Sequence, residues 1–457
     1  MIFSSLCLAP FAASSNEIFY SSQMGANEFQ AQVTGTDNRI GSKINESLAT
    51  SQSTYSYLGG KAIVTHSIIT SYDQEIYTAQ QFGSGNIAIT AQDGSGNALH
   101  FYQGLNATGQ ITETEEAAPK KDRFKHHRAA DHYNDNIAET TTTDFIENTP
   151  VYNNRLDTDQ LGSEHEIYIY QYGDANSITA DQTNSQNVAE FYQLGDADTI
   201  IGEQHGVANS IFITQDDKRT SRYRNVDYLQ MGNDNETLIR QKDNKNSPIN
   251  GAQTVKLYQD GNDSYASIIQ TNGEADADLR QDGNKNQARI YQRDGIAESN
   301  VTQEGNKNKA YINQDDDWNA APSAQVLATI LQDGKRNEAE IFQSSGVATA
   351  EITQTGNDNY GYIDQRSLGW NKEATILSTG NNNSAHIYQN GDVENAIAEI
   401  EQFGNDNIAE VTQANANGEL TLEQIGNNNQ FFATQSEEGL TLRITQFGDG
   451  NNLTVNN

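Results

Sequence analysis

Glutamine recurs along this chain at a step of eleven residues: Gln402, Gln413, Gln424, Gln435 and Gln446. The same step links Gln332, Gln343, Gln354 and Gln365, and before them Gln259, Gln270, Gln281, Gln292, Gln303 and Gln314. Upstream it links Gln171, Gln182, Gln193, Gln204 and Gln215, and also Gln81, Gln92 and Gln103. Many of these glutamines are followed by a glycine, as at Gly83, Gly173, Gly283, Gly305, Gly356, Gly404, Gly426 and Gly448. An asparagine then follows, as at Asn86, Asn176, Asn286, Asn308, Asn359, Asn407, Asn429 and Asn451. A carboxamide offers two N–H donors and an acceptor oxygen, so residues of this type at this spacing suit self-complementary hydrogen bonding rather than proton transfer.

Other chemistry is poorly supported. We find no nucleophile–base pair, phosphate loop or carboxylate pair set apart from the general acidity, and no cofactor signature, so an enzyme is not expected. His126, His127 and His132 lie in a polar stretch without firm ligand spacing. The turn Asp315-Asp316-Asp317 has calcium-binding residue types, but the glycine-rich nonapeptide repeat of calcium rolls is absent. Cys7 is the one cysteine, which excludes a disulfide framework and a thiolate zinc site.

The residues between the glutamines alternate. Asn407, Ala409, Val411 and Gln413 share one parity, as do Leu440, Leu442, Ile444 and Gln446, whereas Glu410, Thr412, Thr441 and Arg443 take the other. A period of two predicts strands with one buried face. Runs such as Phe403-Gly404-Asn405-Asp406 and Ile425-Gly426-Asn427-Asn428 supply residues that tolerate positive φ in tight turns. Each eleven-residue unit is thus one strand and one turn, and two units make one coil of a flat β-solenoid. The predicted fold class is all-β, with coils of about 22 residues stacked so that each strand pairs with its equivalent one coil away. Slips in the step at 216–229, 315–331, 366–377 and 390–401 read as inserted loops.

Composition bounds the function. Among 457 residues, 35% are hydrophobic and 62 acidic residues face 28 basic ones, giving a net charge of -34. So strong a negative charge argues against nucleic acid or an anionic membrane surface as partner. It fits a self-repelling particle, or one that meets divalent cations outside the cell. Disorder is the alternative for an acidic chain rich in Asn, Gln, Gly and Ser. The 21 tyrosines, 15 phenylalanines, five prolines and the regular repeat argue against it. After the first fifteen residues no stretch is long and apolar enough to cross a bilayer.

The glutamines and asparagines share the parity of Ala, Ile, Val and Leu, which places them inside. A buried amide is costly unless hydrogen-bonded. Stacking coils about 4.8 Å apart puts each amide under its own copy, where donor meets acceptor. Such a ladder is satisfied only when the next coil exists, so it favours stacking. The repeat continues to Asn457 without a polar cap, and an uncapped edge of this kind is expected to recruit another chain.

These units resemble curlin repeats, the building unit of bacterial curli subunits. The second half of the curlin pattern, Q-x-G-x-x-N-x-A-x3-Q, stands here as QFGSGNIAITAQ (81–92), QDGNKNQARIYQ (281–292), QEGNKNKAYINQ (303–314) and QFGNDNIAEVTQ (402–413). The resemblance implies a secreted structural protein found in extracellular, cell-surface fibres. It implies homopolymerisation, other curlin subunits and an outer-membrane export channel as partners, and a role in biofilm matrix and adhesion. The leading Ser of the pattern is often replaced, as at Glu75, Ala275, Ala348 and Gly418. The rival reading is a monomeric solenoid adhesin binding polysaccharide, ice or calcium. Ice binding would need regular threonine columns, and Thr412, Thr421, Thr434 and Thr441 do not keep one position.

The expected organisation has five parts: 1–15, 16–74, 75–103, 104–164 and 165–457. The first, MIFSSLCLAPFAASS, resembles the apolar part and small-residue end of an export signal without its basic start. Residues 16–74 carry weak repeats, 75–103 curlin-like repeats, 104–164 a charged insertion and 165–457 the solenoid. The run PKKDRFKHHR, from Pro119 to Arg128, reads as a solvated loop or as a docking patch for an acidic neighbour or anionic surface. The outward aromatics Tyr258, Tyr291, Tyr388, Phe403 and Phe447 are candidates for stacks along the array, or for turn packing.

Overall fold

Alternating apolar positions do form strands, and the computed structural model is all-β. It describes the strands between residues 16 and 144 and, with side chains, most of residues 153–456; 217–222, 243–251, 316–324, 367–370, 393–395, 437–440 and a few shorter turns are outside the described residues. The strands lie in two 18-stranded sheets, and strands that alternate in sequence alternate between sheets. Ile296–Asn306 belongs to the first sheet, Lys309–Asp315 to the second, and Gln325–Lys335 returns to the first. There it pairs in parallel with Ile296–Asn306 and brings Gln332 opposite Gln303. Register is kept over successive coils, Gln259 opposing Gln281 and Gln281 opposing Gln303, and shifts between Gln389 and Asp392. The chain is therefore a β-solenoid. Among the described residues no helix is long and apolar enough to cross a membrane.

The main core cluster lies between the sheets and is mostly small and large aliphatic side chains, joined by Phe101, Phe191, Tyr228 and Phe431, with Ala297, Val326 and Ala348 forming a second, smaller cluster. In the coil just described Ala297, Val301, Ala310 and Ile312 are buried, and Ser299 takes another inward position. Register sets inward side chains beside their equivalents in the adjacent coils, as Val301 lies between Leu279 and Ile330. One exception shows how tight the fit is. Gly202 has no side chain because the ring of Tyr228 in the next coil occupies that space, 2.2 Å from where a Cβ would stand. Tyr228 is fully buried, and its hydroxyl finds no protein partner among the described residues.

The two edges of the solenoid differ. From Arg155 onward, the chain crosses from the first sheet to the second by the same short turn, as at Gly305–Asn308 or Gly404–Asn407. In this part of the array the variation in coil length occurs at the opposite edge. Successive ladder glutamines are 22 residues apart in the shortest coils and 24, 26 or 29 in others. The extra residues follow Asp216, Lys242, Asp315, Arg366 and Asp392, all at ends of second-sheet strands. Four of these match the slips in the glutamine step, and the loop after Lys242 is an additional one.

The large insertion leaves by the same edge, and its boundary differs from the one expected. The array resumes at Arg155, not at residue 165. Arg155–Ser163 pairs in register with Ile87–Ser95, placing Gln160 opposite Gln92. The substitutions at the turn disguise this strand: His165 stands where other coils have Asn, and Thr158 is an inward residue. Within the insertion, Gln110–Thr114 and Thr140–Asp144 form an antiparallel pair, which the all-parallel expectation did not include. Strands in 16–68 extend both sheets in parallel. Residues 1–15 are outside the described residues.

Gly305 has φ +101°, and a Cβ there would lie 2.1 Å from the carbonyl oxygen of Gly334 in the next coil. Backbone cannot yield as a flexible side chain can. Gly305→Ala is expected to destabilise the chain by at least about 1–3 kcal/mol, the usual cost of such strain, measured as a lowered urea midpoint. An unchanged midpoint would show that the turns are not held at this spacing.

Candidate functional site, a pair of buried amide ladders

Each inward glutamine sits at the end of its strand, where the alternation turns it into the core beside the small residue that opens the facing strand. In the second sheet the Nε2 of each donates to the Oε1 of its equivalent one coil further on. This series runs Gln171, Gln193, Gln215, Gln241, Gln270 and Gln292, with distances of 2.8–3.0 Å. It continues through Gln314, Gln343, Gln365, Gln389 and Gln413 to Gln435 at 2.8–3.1 Å. In the first sheet Gln160, Gln182, Gln204, Gln230, Gln259, Gln281, Gln303, Gln332 and Gln354 make the same ladder at 2.7–3.1 Å. Ser378 then takes the glutamine position and donates to Gln402, after which Gln402, Gln424 and Gln446 continue.

The second Nε2 hydrogen is also used. Gln303 donates to the carbonyl of Gln287, and Gln292 to that of Asp276, in each case across the core to the facing strand. One amide thus joins its coil to the next and one sheet to the other. The bonds from glutamine to glutamine all donate toward higher residue number, so each ladder has one direction.

The turn asparagines form a second type of ladder. Asn308 donates from Nδ2 to the carbonyl of Glu304 in its own turn and to that of Gly334 in the next coil. Its Oδ1 accepts the backbone N–H of Asn337. Asn286, Asn359 and Asn407 likewise reach the glycine carbonyl one coil on, at 2.9–3.0 Å. Of the residues singled out from sequence, Gln171, Asn176, Gln182, Gln281, Asn286, Gln292, Gln303, Asn308, Gln354 and Asn359 are all buried. So are Gln402, Asn407, Gln413, Gln424, Asn429, Gln435 and Gln446, while Asn451 is half-buried. Gly173, Gly283, Gly305, Gly356, Gly404, Gly426 and Gly448 all have positive φ. Gln81, Gly83 and Gln92 lie in strands whose side chains are outside the description; the backbone register pairs Gln81 with Gln103. Asn86 is outside the described residues.

Three features were not read from the sequence. Asparagines just after the turn glycines form an exposed ladder: Asn262, Asn284 and Asn306, then Asn357, Asn381, Asn405 and Asn427. Asn405 and Asn427 are not the positive-φ residues of their turns; Asp406 and Asn428 are, as are Lys285, Lys307 and Arg336 elsewhere. At the variable edge the asparagine column passes from Asn154 and Asn176 to Asp198 and Arg224, a fully buried ion pair 3.6 Å apart. Arg224 then donates to Gln253. Lys372, also buried, donates to the carbonyls of Ser344 and Gln365.

Of the outward aromatics singled out from sequence, Tyr388 joins a series of neighbouring rings on the second sheet, tilted rather than stacked. Tyr170 and Tyr192 are parallel at 4.8 Å, and Tyr311, Phe342, Tyr362 and Tyr388 follow one another at 5.3–5.6 Å. Tyr258 is covered by Arg280 instead, and Phe447 is exposed. Asp315 is paired with Arg293; His126, His127, His132, Asp316 and Asp317 are outside the described residues.

Two stretches, residues 153–183 and 380–414, match the curlin associated repeat. They contain rungs of both ladders, Gln160, Gln171 and Gln182 in one, Gln389, Gln402 and Gln413 in the other. The chain carries curlin associated repeats at these two places. No curated protein matches it significantly. In these repeats the motif amides have a structural part, holding adjacent coils in register.

In this repeat protein, replacing Gln303 by leucine adds apolar area but leaves Gln281 Nε2 and Gln332 Oε1 each short of a partner. Gln303→Leu is expected to cost about 1–3 kcal/mol, the usual penalty of an unmet buried group, read from urea unfolding; a neutral result would make the ladder incidental. A pH effect also follows. Partial burial, then Asp159 and Glu203 stacked on either side, raise the Asp181 carboxyl above its ordinary range. A raised folded-state pKa stabilises in acid and is lost as pH rises through it. His165, lowered by burial, acts in the opposite sense. Asp181→Asn is therefore expected to raise the urea midpoint at neutral pH and to leave a weaker gain on acidification; an unchanged pH profile would refute this.

Proposed function

We propose that this protein is an extracellular structural subunit of curli-like amyloid fibres, growing by end-to-end stacking of its coils and contributing to biofilm matrix and adhesion. The observation that carries this reading is the pair of one-directional glutamine ladders. Each rung is completed by the coil beyond it, and a rung supplied by another copy is chemically the same as one supplied by the same chain. Parallel, in-register strands make every coil both product and template. In this reading the partner is a further copy of the chain or another curlin subunit, after export through an outer-membrane channel, and the cell surface is its location. The repeat family itself is structural and associated with the cell exterior, which agrees with the absence of catalytic chemistry in the reading.

The rival, a monomeric adhesin, draws support from the aromatic series Tyr311, Phe342, Tyr362 and Tyr388, since planar rings suit sugar faces. Ice binding is disfavoured. Thr355 faces Thr379, and Thr412 faces Thr434, but Asp333 and Phe403 flank the first pair, and Tyr388 and Asn456 the second.

Chains carrying -34 charges repel at every junction. Added salt, calcium or mild acid is therefore expected to shorten the lag and speed elongation of chains diluted from denaturant. Gln413→Leu is expected to slow elongation under all of these conditions, followed by light scattering and electron microscopy. Rates indifferent to ionic strength and to the substitution would count against stacking through the ladders.

A further inference from the structure

The outward face of the second sheet gathers oxidisable rings where Tyr360–Arg366 pairs with Ser384–Asp392. In-register pairing sets Tyr362 opposite His386 and Asp364 opposite Tyr388. The four residues form a checkerboard, with one phenol and one proton acceptor on each strand. The phenol of Tyr362 donates to Asp364 Oδ2 at 3.3 Å. His386 with its proton on Nε2, within 3.2 Å of Ser384 Oγ, accepts at Nδ1 from Tyr388 Oη, 3.4 Å away. The two tyrosine rings are 5.4 Å apart and tilted by 44°. A third phenol, Tyr360, donates to Glu340 at 3.4 Å and meets His386 edge-on at 5.2 Å.

Burial, then neighbouring carboxylates, hold the Tyr362 hydroxyl above its ordinary range and push that of Tyr388 up to about 12. Both phenols keep their protons near neutrality, so each gives up an electron readily only if its O–H proton leaves with it. An oxidised phenol is a strong acid, and even a carboxylate held by an arginine takes that proton. Asp364 is such a group: buried, and fixed by Arg366 Nε at 2.9 Å and Nη2 at 2.5 Å. His386 takes the same part for Tyr388. Tyr170 and Tyr192 lie closer, at 4.8 Å, but nearly parallel. The bond joining two aryl rings lies in the plane of both, so flat stacking presents the wrong faces, whereas tilted rings present an edge.

We propose that Tyr362 and Tyr388 are an oxidative cross-linking site, joined as dityrosine by hydrogen peroxide acting through a haem peroxidase. Each phenol loses one electron to the oxidant and its O–H proton to Asp364 or His386, giving two neutral phenoxyl radicals. These combine through the ring carbons next to each C–O, forming one C–C bond. The hydrogen on each joined carbon then passes as a proton to the phenol oxygen, and both hydroxyls are restored. The net loss is two electrons and two protons, which convert one hydrogen peroxide into two waters. From 5.4 Å the ring centres must approach by about 1 Å, within ordinary side-chain displacement. The product is a covalent clasp between two coils, separate from the amide ladders and independent of fibre growth.

Treating the full chain at low protein concentration with a haem peroxidase and hydrogen peroxide tests this. Trypsin then releases 337–366, which holds Tyr360 and Tyr362, and 373–443, whose one tyrosine is Tyr388. The expected product is these two peptides joined with the loss of two hydrogens, with dityrosine fluorescence, and with fragmentation placing the link at Tyr362. Tyr362→Phe and Tyr388→Phe should each remove it, whereas Tyr360→Phe should keep it. Asp364→Asn retains the side chain's shape but not its basicity, and should slow the reaction roughly ten-fold or more, as loss of a positioned proton acceptor does. Absence of the joined peptide from the folded chain would overturn the proposal, as would an equal yield from chain unfolded in urea or an undiminished rate in Asp364→Asn. A link that favours another pair, such as Tyr170 with Tyr192, or that forms only as protein concentration rises, would overturn it as well.

Discussion

A primary amide in an apolar core must find both a donor and an acceptor, and in this solenoid it finds them one coil away. That requirement governs most of what else is seen. It demands that equivalent glutamines lie opposite one another, which forces parallel strands in exact register. Register in turn fixes a coil length that varies only where residues can be looped out. The asparagines apply the same constraint to the turns, and the glycine carbonyls that receive their Nδ2 hydrogens lie where any Cβ would collide.

The division of labour between the edges follows. At the short-turn edge, backbone, asparagine ladders and glycines of adjacent coils are in mutual contact, so length cannot change. At the opposite edge the turn asparagine gives way to Asp198, Arg224, Gln253 and Lys372, and insertions are admitted there. Removing one partner of the buried Asp198–Arg224 pair would leave an uncompensated charge. These unlike residues also break the near-equivalence of successive coils and so give an otherwise repetitive chain distinguishable positions.

The solenoid was legible in the sequence because parallel in-register stacking writes a spatial period directly into residue numbers. Gln402, Gln413 and Gln424 could be recognised as rungs by step and parity alone. Which glutamines share a ladder followed from two strands per coil. Other parts were hidden for definite reasons. Arg155–Ser163 carries His165 and Thr158 at motif positions, so its membership showed only in pairing. Ser378 looks like a lost rung, yet its hydroxyl donates to Gln402 and keeps the series in contact from above. Asn284 and Asn306 could be read as turn formers, but their ladder role depends on a neighbour 22 residues away.

The central claim is that amides completed by the next coil make stacking of further copies favourable. Fibre diffraction on the purified chain, diluted from denaturant and left to assemble, tests it most directly. Filaments with a meridional reflection near 4.7–4.8 Å, the strand spacing along the solenoid axis, are the predicted result. A β-rich monomer that persists in solution without forming filaments would contradict the account, since the ladders would then serve the single chain alone.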